Sequence, residues 1–349
     1  MKSKIESGSE TVSVQTIERD LRNLWEQMAE VSQAEQREPV MRACVLNLIV
    51  YAPGEQSVGE MGQIMAEVTT QHPSRIIVML PNPEATQPHL NAWVTAQCYL
   101  AAGGRKQVCC EQIMITAEGG ATDWLPSLVR PLLVPDLPVV LWWRNSPGAP
   151  SRLFNELLKT ADRVIIDEAT LGDPLEGLAN IAAVIRQKDQ WTAFSDLSWA
   201  RLTPWRDLIA GFFDGPDYRP YLWRLDRVEV ECRKKPADDQ IIPGSALLIM
   251  GWLATRLRWN IRTRPKWTDA DTCQFELSVD NRPIIIQVKT PASTDRTPGG
   301  LSAIRLNPEG GPRFIVSSSE DGLHLHSTVE LGEKRVIGKV SRLDDYSEA

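Results

Sequence analysis

The sequence predicts an α/β protein, α+β overall: an N-terminal mixed β-sheet domain with flanking helices, then a C-terminal domain of antiparallel sheet and helices. Three observations predict it. Short apolar runs alternate with amphipathic stretches through the first half of the chain, the rhythm of a sheet covered by helices on both faces. From Val228 onward single apolar residues alternate with polar ones, as in strands buried on one face only. The 349 residues also exceed what one core usually organises. The expected division is residues 1–40 as an arm and amphipathic helix, 41–190 as the α/β domain, 191–340 as the α+β domain and 341–349 as a flexible tail.

Taken in order, residues 1–10 are polar and frayed, and then Val14, Ile17, Leu21, Leu24, Met28 and Val31 recur at three- and four-residue spacing. They put one narrow apolar seam on a helix, to pack on its own domain or, as coiled-coil seams do, on another chain. Val45 to Tyr51 reads as a strand, Ala52-Pro53-Gly54 as a turn, Gln56 to Thr69 as a helix and Arg75 to Leu80 as the next strand, closed by Pro81-Asn82-Pro83. Trp93 to Leu100 and Gln107 to Thr116 flank Ala101-Ala102-Gly103-Gly104-Arg105-Lys106, which reads as a hairpin with a glycine turn. A helix near Trp124 to Leu133 leads to the apolar run from Pro138 to Arg144, a strand buried on both faces. Trp142 and Trp143 end that strand on opposite faces, at the carboxyl edge where open α/β sheets place ligands or partners. Beyond Pro147-Gly148-Ala149-Pro150, a helix from Ser151 to Thr160, a strand from Arg163 to Ile166 and a helix from Leu175 to Gln187 complete the alternation.

Ser195 or Asp196 then caps a helix running to Phe213, stopped by Asp214-Gly215-Pro216, with Leu202, Trp205 and Ile209 on its inward stripe and Arg201 and Arg206 off it. Val228, Val230 and Cys232, and later Cys273, Phe275, Leu277 and Val279, mark half-buried strands, the second ending in a turn at Asp280-Asn281-Arg282-Pro283. Strands from Ile284 to Lys289, Ala303 to Leu306, Phe314 to Ser317 and Leu323 to Val329 follow. A helix from Ser245 to Arg258 packs on the resulting antiparallel sheet, and disorder is expected only after Val340.

Composition narrows the function. A net charge of -7 and a pI near 5.3 argue against nucleic acid or an anionic membrane as the main partner, since both need a concentrated positive field. The amino terminus lacks the apolar core of a signal peptide, the most apolar helical run is too short to span a bilayer, and the six cysteines lack C-x-x-C spacing, so a reducing cytoplasm is expected. Cys109 and Cys110 are strand neighbours that point apart with no evident pairing thiol, which reads as buried and inert cysteine. Cys232 and Cys273 come within bridging reach only if their strands pair.

The catalytic inventory is poor. His324 and His326 share a strand face but have no Cys or acidic companions for a metal, and neither Gly103-Gly104-Arg105 nor Thr297-Pro298-Gly299-Gly300 has a nucleotide-cradling pattern, so no cofactor or metal is expected. His72-Pro73-Ser74-Arg75 offers donors at the start of a strand. With Arg144 it would make an anion site for an enzyme of sugar-phosphate metabolism; as a plain turn, its Arg75 would salt-bridge instead. Twelve Trp, many beside Arg, are the stronger signal, because Trp and Arg dominate interface hot spots. The candidate partner-binding residues are Trp142, Trp143, Arg144, Trp199, Arg201, Trp205, Arg206, Trp252 and Arg256.

Several phrases also carry a family resemblance: the run from Leu132 to Arg144, His72-Pro73-Ser74-Arg75-Ile76-Ile77-Val78, Ala161-Asp162-Arg163-Val164-Ile165-Ile166-Asp167, the stretch from Asp196 to Arg206, and Gly251-Trp252-Leu253-Ala254-Thr255-Arg256-Leu257. As an ordered set from Cys44 to at least Trp259 they resemble the OpcA family, the glucose-6-phosphate dehydrogenase assembly proteins. The resemblance implies a non-catalytic partner of that oligomeric dehydrogenase. Such a partner favours the active oligomer and raises its apparent affinity for glucose 6-phosphate. Thioredoxin-linked control through the cysteines is a further implication of the same resemblance.

Overall fold

A computed structural model describes residues 12–34, 41–54, 57–100, 107–144, 151–186, 192–233, 240–291 and 300–343. The hairpin turn at Gly103-Gly104-Arg105, the Pro147–Pro150 turn, the Thr297–Gly299 loop and both chain ends lie outside them. The chain forms two units, one built from Met1–Thr170 and Asn180–Ser195, the other from Leu171–Ala179 and Asp196–Ser347.

The first unit begins with α1 (Val14–Ala34), whose first turn Ser13 caps by accepting from the Thr16 amide at 3.2 Å. Two-residue β1 (Met41–Arg42) precedes β2 (Leu46–Tyr51), α2 (Ser57–Gln71), β3 (Ser74–Asn82), β4 (His89–Leu100) and β5 (Gln107–Glu118). Then come α3 (Leu125–Val129), β6 (Val139–Trp143), α4 (Arg152–Leu158), β7 (Arg163–Ile166), α5 (Pro174–Arg186), whose residues 174–179 are counted with the second unit, and β8 (Ala193–Asp196). The sheet runs β1-β5-β3-β2-β6-β7-β8, with β4 antiparallel on β5 and parallel pairing from β1 through β7. This is the expected mixed sheet. The middles of its central strands are apolar, as in a sheet covered on both faces, and Ile49, Val50, Ile77, Val78, Ile113 and Leu141 are fully buried. The seam of α1 lies on β4, burying Ile17, Leu21 and Leu24 while Val31 stays exposed. The helix expected from Trp124 to Leu133 is instead short α3 between two 3-10 turns, because Pro126 and Pro131 each remove an amide donor.

The second unit opens with α6 (Leu197–Arg201) and α7 (Thr203–Gly211), followed by α8 (Arg219–Leu222), β9 (Leu225–Cys232), α9 (Gly244–Leu257), β10 (Asn260–Ile261), β11 (Lys266–Trp267) and β12 (Thr272–Val279). It ends with β13 (Arg282–Lys289), β14 (Leu301–Pro308), β15 (Arg313–Ser318), β16 (His324–Leu331) and β17 (Lys334–Arg342). The single helix expected from Asp196 to Phe213 is broken at Leu202, since Pro204 can occupy the first turn of a new helix but not the interior of an old one. The sheet order is β10-β12-β13-β9-β14-β15-β16-β17, with β11 on β12. Pairing is antiparallel except that β13 runs parallel to β9. One face packs Val228, Val230, Ile286, Val288, Leu306, Phe314 and Val316 against α7 and α9, where Phe314 meets Phe212 at 5.2 Å and Phe213 at 4.9 Å. The turn before β13 is only Asp280-Asn281, both at positive φ (46° and 63°), so the strand starts at Arg282 and includes Pro283. β17 is a further correction, because order continues past Val340 to the end of an edge strand at Arg342.

Candidate functional site

At the carboxyl edge of the first sheet, β2 turns to β3 on one side and β6 lies on the other, the position where such sheets open a crevice. Here it is filled. Trp143 sits opposite Tyr51 in register and stacks on it with ring centroids 3.7 Å apart and planes 5° from parallel, while Phe154 meets Trp143 edge-on at 4.9 Å. Trp142 and Trp143 are 4% and 3% exposed, and neither indole N–H has an acceptor among the described residues. They are core residues and present no surface. Half-buried Arg144 donates its backbone amide to the Tyr51 carbonyl at 2.9 Å and holds its guanidinium carbon 5.5 Å from the Trp142 ring centroid.

In the second unit the candidates divide. Trp205 is 4% exposed and, with Leu202 and Ile209, forms the inward stripe that the spacing predicts. Trp199 is half-buried under Arg206, whose guanidinium carbon lies 3.4 Å from the ring centroid. Arg206 also donates to the Trp199 carbonyl at 3.1 Å and to Thr203 Oγ1 at 2.8 Å, so it closes the α6–α7 corner from outside. Burial lowers its pKa by penalising the charged form. Arg201 donates to Ser198 Oγ at 3.3 Å. On α9, half-buried Trp252 and exposed Arg256 are one turn apart on one face, and α9 packs against α6. The accessible members of the predicted set are therefore Trp199, Arg201, Arg206, Trp252 and Arg256 in this unit, with Arg144 at the rim of the other sheet.

The residues of the anion site do not come together. Arg75 stands at the amino end of β3 and Arg144 just past the carboxyl end of β6, so in parallel strands they are separated by about 16 Å at ~3.3 Å per residue. Buried Ser74 donates its hydroxyl to the His72 carbonyl at 2.8 Å. Arg75 is committed to Glu111 on β5, donating from Nε and Nη2 to Oε2 at 2.7 Å each, with Nη1 on the Leu132 carbonyl at 2.7 Å. Glu111 Oε1 accepts from Arg42 Nη2 at 2.8 Å and from the Trp25 indole of α1. One carboxylate, 3% exposed, thus joins α1, β1, β3 and β5, with every donor charge-assisted. The salt bridge expected of Arg75 in the plain-turn reading is present, but sequence reasoning missed Glu111, Arg42 and Trp25 as its companions, because parallel register is not readable along the chain.

Among the thiols, Cys109 differs from expectation, while Cys110 is buried and free as expected. Cys98 lies directly opposite Cys109 in the β4–β5 hairpin, with Cα atoms 4.1 Å apart, and the two form a disulfide. The hairpin ends inferred from sequence, Leu100 opposite Gln107, already place 98 opposite 109. Cys110 points to the other face, accepts from the Ser74 amide and lies near Cys44; burial, above all, raises its pKa. Cys232 and Cys273 are not bridged, since β13 separates β9 from β12. Among the described residues no cluster of three His, Cys, Asp or Glu could hold a metal, and no helix is long and apolar enough to cross a membrane.

The arrangement defines a two-unit protein, an α/β sheet followed by a largely antiparallel sheet with helices on one face. Two family models match it, described as the N-terminal and C-terminal domains of a glucose-6-phosphate dehydrogenase subunit, over residues 65–183 and 192–334. The chain belongs to the OpcA family. OpcA of Synechocystis sp., a protein named for the OxPP cycle, is 30% identical over 210 residues, 60% of this chain and 41% of its own length. OpcA of Synechococcus elongatus is 30% identical over 270 residues, 75% of this chain and 58% of its own. The chain thus spans about half the length of the curated relatives it matches. Among solved structures an oxidoreductase from Sinorhizobium meliloti is similar at a TM-score of 0.45 and 11% identity, covering 86% of this chain and 77% of that one.

Proposed function

We propose that this chain is a non-catalytic, cytoplasmic regulatory subunit that binds glucose-6-phosphate dehydrogenase, favours its active oligomer and raises its apparent affinity for glucose 6-phosphate in the oxidative pentose phosphate pathway. The observation that carries this reading is the pair of family models, both described as domains of a subunit of that dehydrogenase and together reaching from residue 65 to residue 334. The geometry supports it against the sugar-phosphate enzyme, because Ser74 and Arg75 are spent on His72 and Glu111, at the far end of the strands from Arg144. The mechanism is differential binding. A partner shifts an equilibrium between dehydrogenase states only by the difference in its affinity for them. Trp199 with Arg206, and Trp252 with Arg256, supply contact groups of the type that anchors interfaces.

The test is to titrate the purified chain into its cognate dehydrogenase and record glucose 6-phosphate saturation. The expected result is a lower apparent KM with added chain and no turnover by the chain alone. Turnover by the chain, with no effect on the dehydrogenase, overturns the reading.

A further inference from the structure

β17 buries nothing of its own. Eight of its nine residues are exposed and Ser341 is half-buried, while every other strand of eight residues in that sheet buries several positions. Val336, Ile337 and Val340 are 58%, 67% and 55% exposed, Ile337 and Val340 on one face and Val336 on the other, on a strand open to solvent along one edge. Such an edge is a template for another strand; here its four cations and the register shift beside Gly338 disfavour neutral or basic strands and leave an acidic one as the match. This one is held out firmly. Gly332, at φ +58°, starts the tight turn from β16, and Gly338 lets the strand approach Ser327, where an added Cβ would stand 2.6 Å from Oγ. Ser327 Oγ then donates to the Lys339 carbonyl at 3.0 Å.

Charge selects the occupant. From residue 334 to 342 the strand carries Lys334, Arg335, Lys339 and Arg342 and no acid, in a chain of net charge -7. Arg335 lies 3.8 Å from Glu330, and the other three have no ion-pair partner among the described residues. A second copy is a poor fit, since antiparallel self-pairing about Gly338 sets Lys334 against Arg342 twice over. We infer that the open edge of β17 takes up an extended, carboxylate-bearing segment of the partner dehydrogenase as a tenth strand. Val336, Ile337 and Val340 contribute the apolar contact and the four cations the charge match. The inference rests on the function proposed above, and adds to the α6–α9 contact groups a docking edge that neither the family resemblance nor the Trp–Arg pattern contains.

The experiment uses the full chain, wild type and the triple variant Lys334→Glu/Lys339→Glu/Arg342→Glu, each checked by circular dichroism, with the cognate dehydrogenase. It measures affinity by calorimetry and the exchange protection of backbone amides 334–342. The expected result is that the variant binds at least about tenfold more weakly and that these amides gain protection only in the wild-type complex. Unchanged affinity, or no added protection in a complex that forms, overturns this inference and leaves the proposed function standing. If the wild-type chain forms no complex at all, both fail. Protection in the chain alone that grows with its concentration names a second copy as occupant, and protection that disappears on truncation after Leu343 names the acidic residues that follow; either overturns the inference.

Discussion

β3 and β17 are each nine residues long, each carries adjacent β-branched residues, and they meet opposite fates. β3 lies between β2 and β5 and buries seven of its nine positions; β17 has a neighbour on one side only and buries none. Position within the sheet, together with the four cations of β17 against one in β3, decides which residues are available to a partner. The same lesson separates the two Trp–Arg groups, for Trp142 and Trp143 are sealed in the first sheet while Trp199 and Trp252 reach the surface of the second unit.

The largest loss is expected at the polar centre of the buried region. Replacing Glu111 by Ala strands Arg75, Arg42 and Trp25 without their acceptor, so a loss of about 3–5 kcal/mol in urea unfolding is expected. A loss under about 1 kcal/mol would mean that water replaces the carboxylate and the junction is open. Next comes Ile77→Thr in β3, which deletes buried methylene and hides a hydroxyl in a fully enclosed site, an expected cost of about 2–4 kcal/mol by the same measurement. Cys98→Ser removes the cross-strand bond that closes the 11-residue separation to Cys109, with an expected loss of about 2–3 kcal/mol. Its unfolding midpoint should also stop responding to dithiothreitol. Equal midpoints for oxidised and reduced wild-type chain would contradict that. The smallest effect sharpens the contrast: Ile337→Thr, the substitution made at Ile77 but now in β17, should change stability by less than about 0.5 kcal/mol.

The β/α alternation of the first sheet was legible because strands buried on both faces are built around short apolar runs, and such runs stand out at Val45, Arg75, Pro138 and Arg163 between turn residues. The inward stripe of Leu202, Trp205 and Ile209 was equally plain, though the break at Pro204 needed the capping rule to be applied inside a predicted helix. β17 was not legible. Val336 and Ile337 stand side by side, Gly338 follows, and the register slips between His326 and Thr328, so the strand shows no two-residue period and borrows its order from β16. For the candidate site, sequence could rank residue types but not exposure; nothing in Trp142-Trp143-Arg144 says that Tyr51 and Phe154 will enclose it. The Cys98–Cys109 bond was within reach of register arithmetic on the hairpin, whereas the Glu111 junction spans parallel strands whose offset only the folded sheet defines.

That junction also bears on how the chain reaches its fold. Glu111 meets Trp25 across 86 residues and Arg75 across 36, and Arg75 meets Leu132 across 57, so each contact closes a long loop before it stabilises anything. Contacts of that span are expected to consolidate after the local β4–β5 hairpin, which a φ-value near zero for Glu111→Ala in refolding kinetics would check. Their loss would then act as a faster route out of the folded state rather than a slower route in, and the junction behaves as a clasp that sets the lifetime of the first sheet.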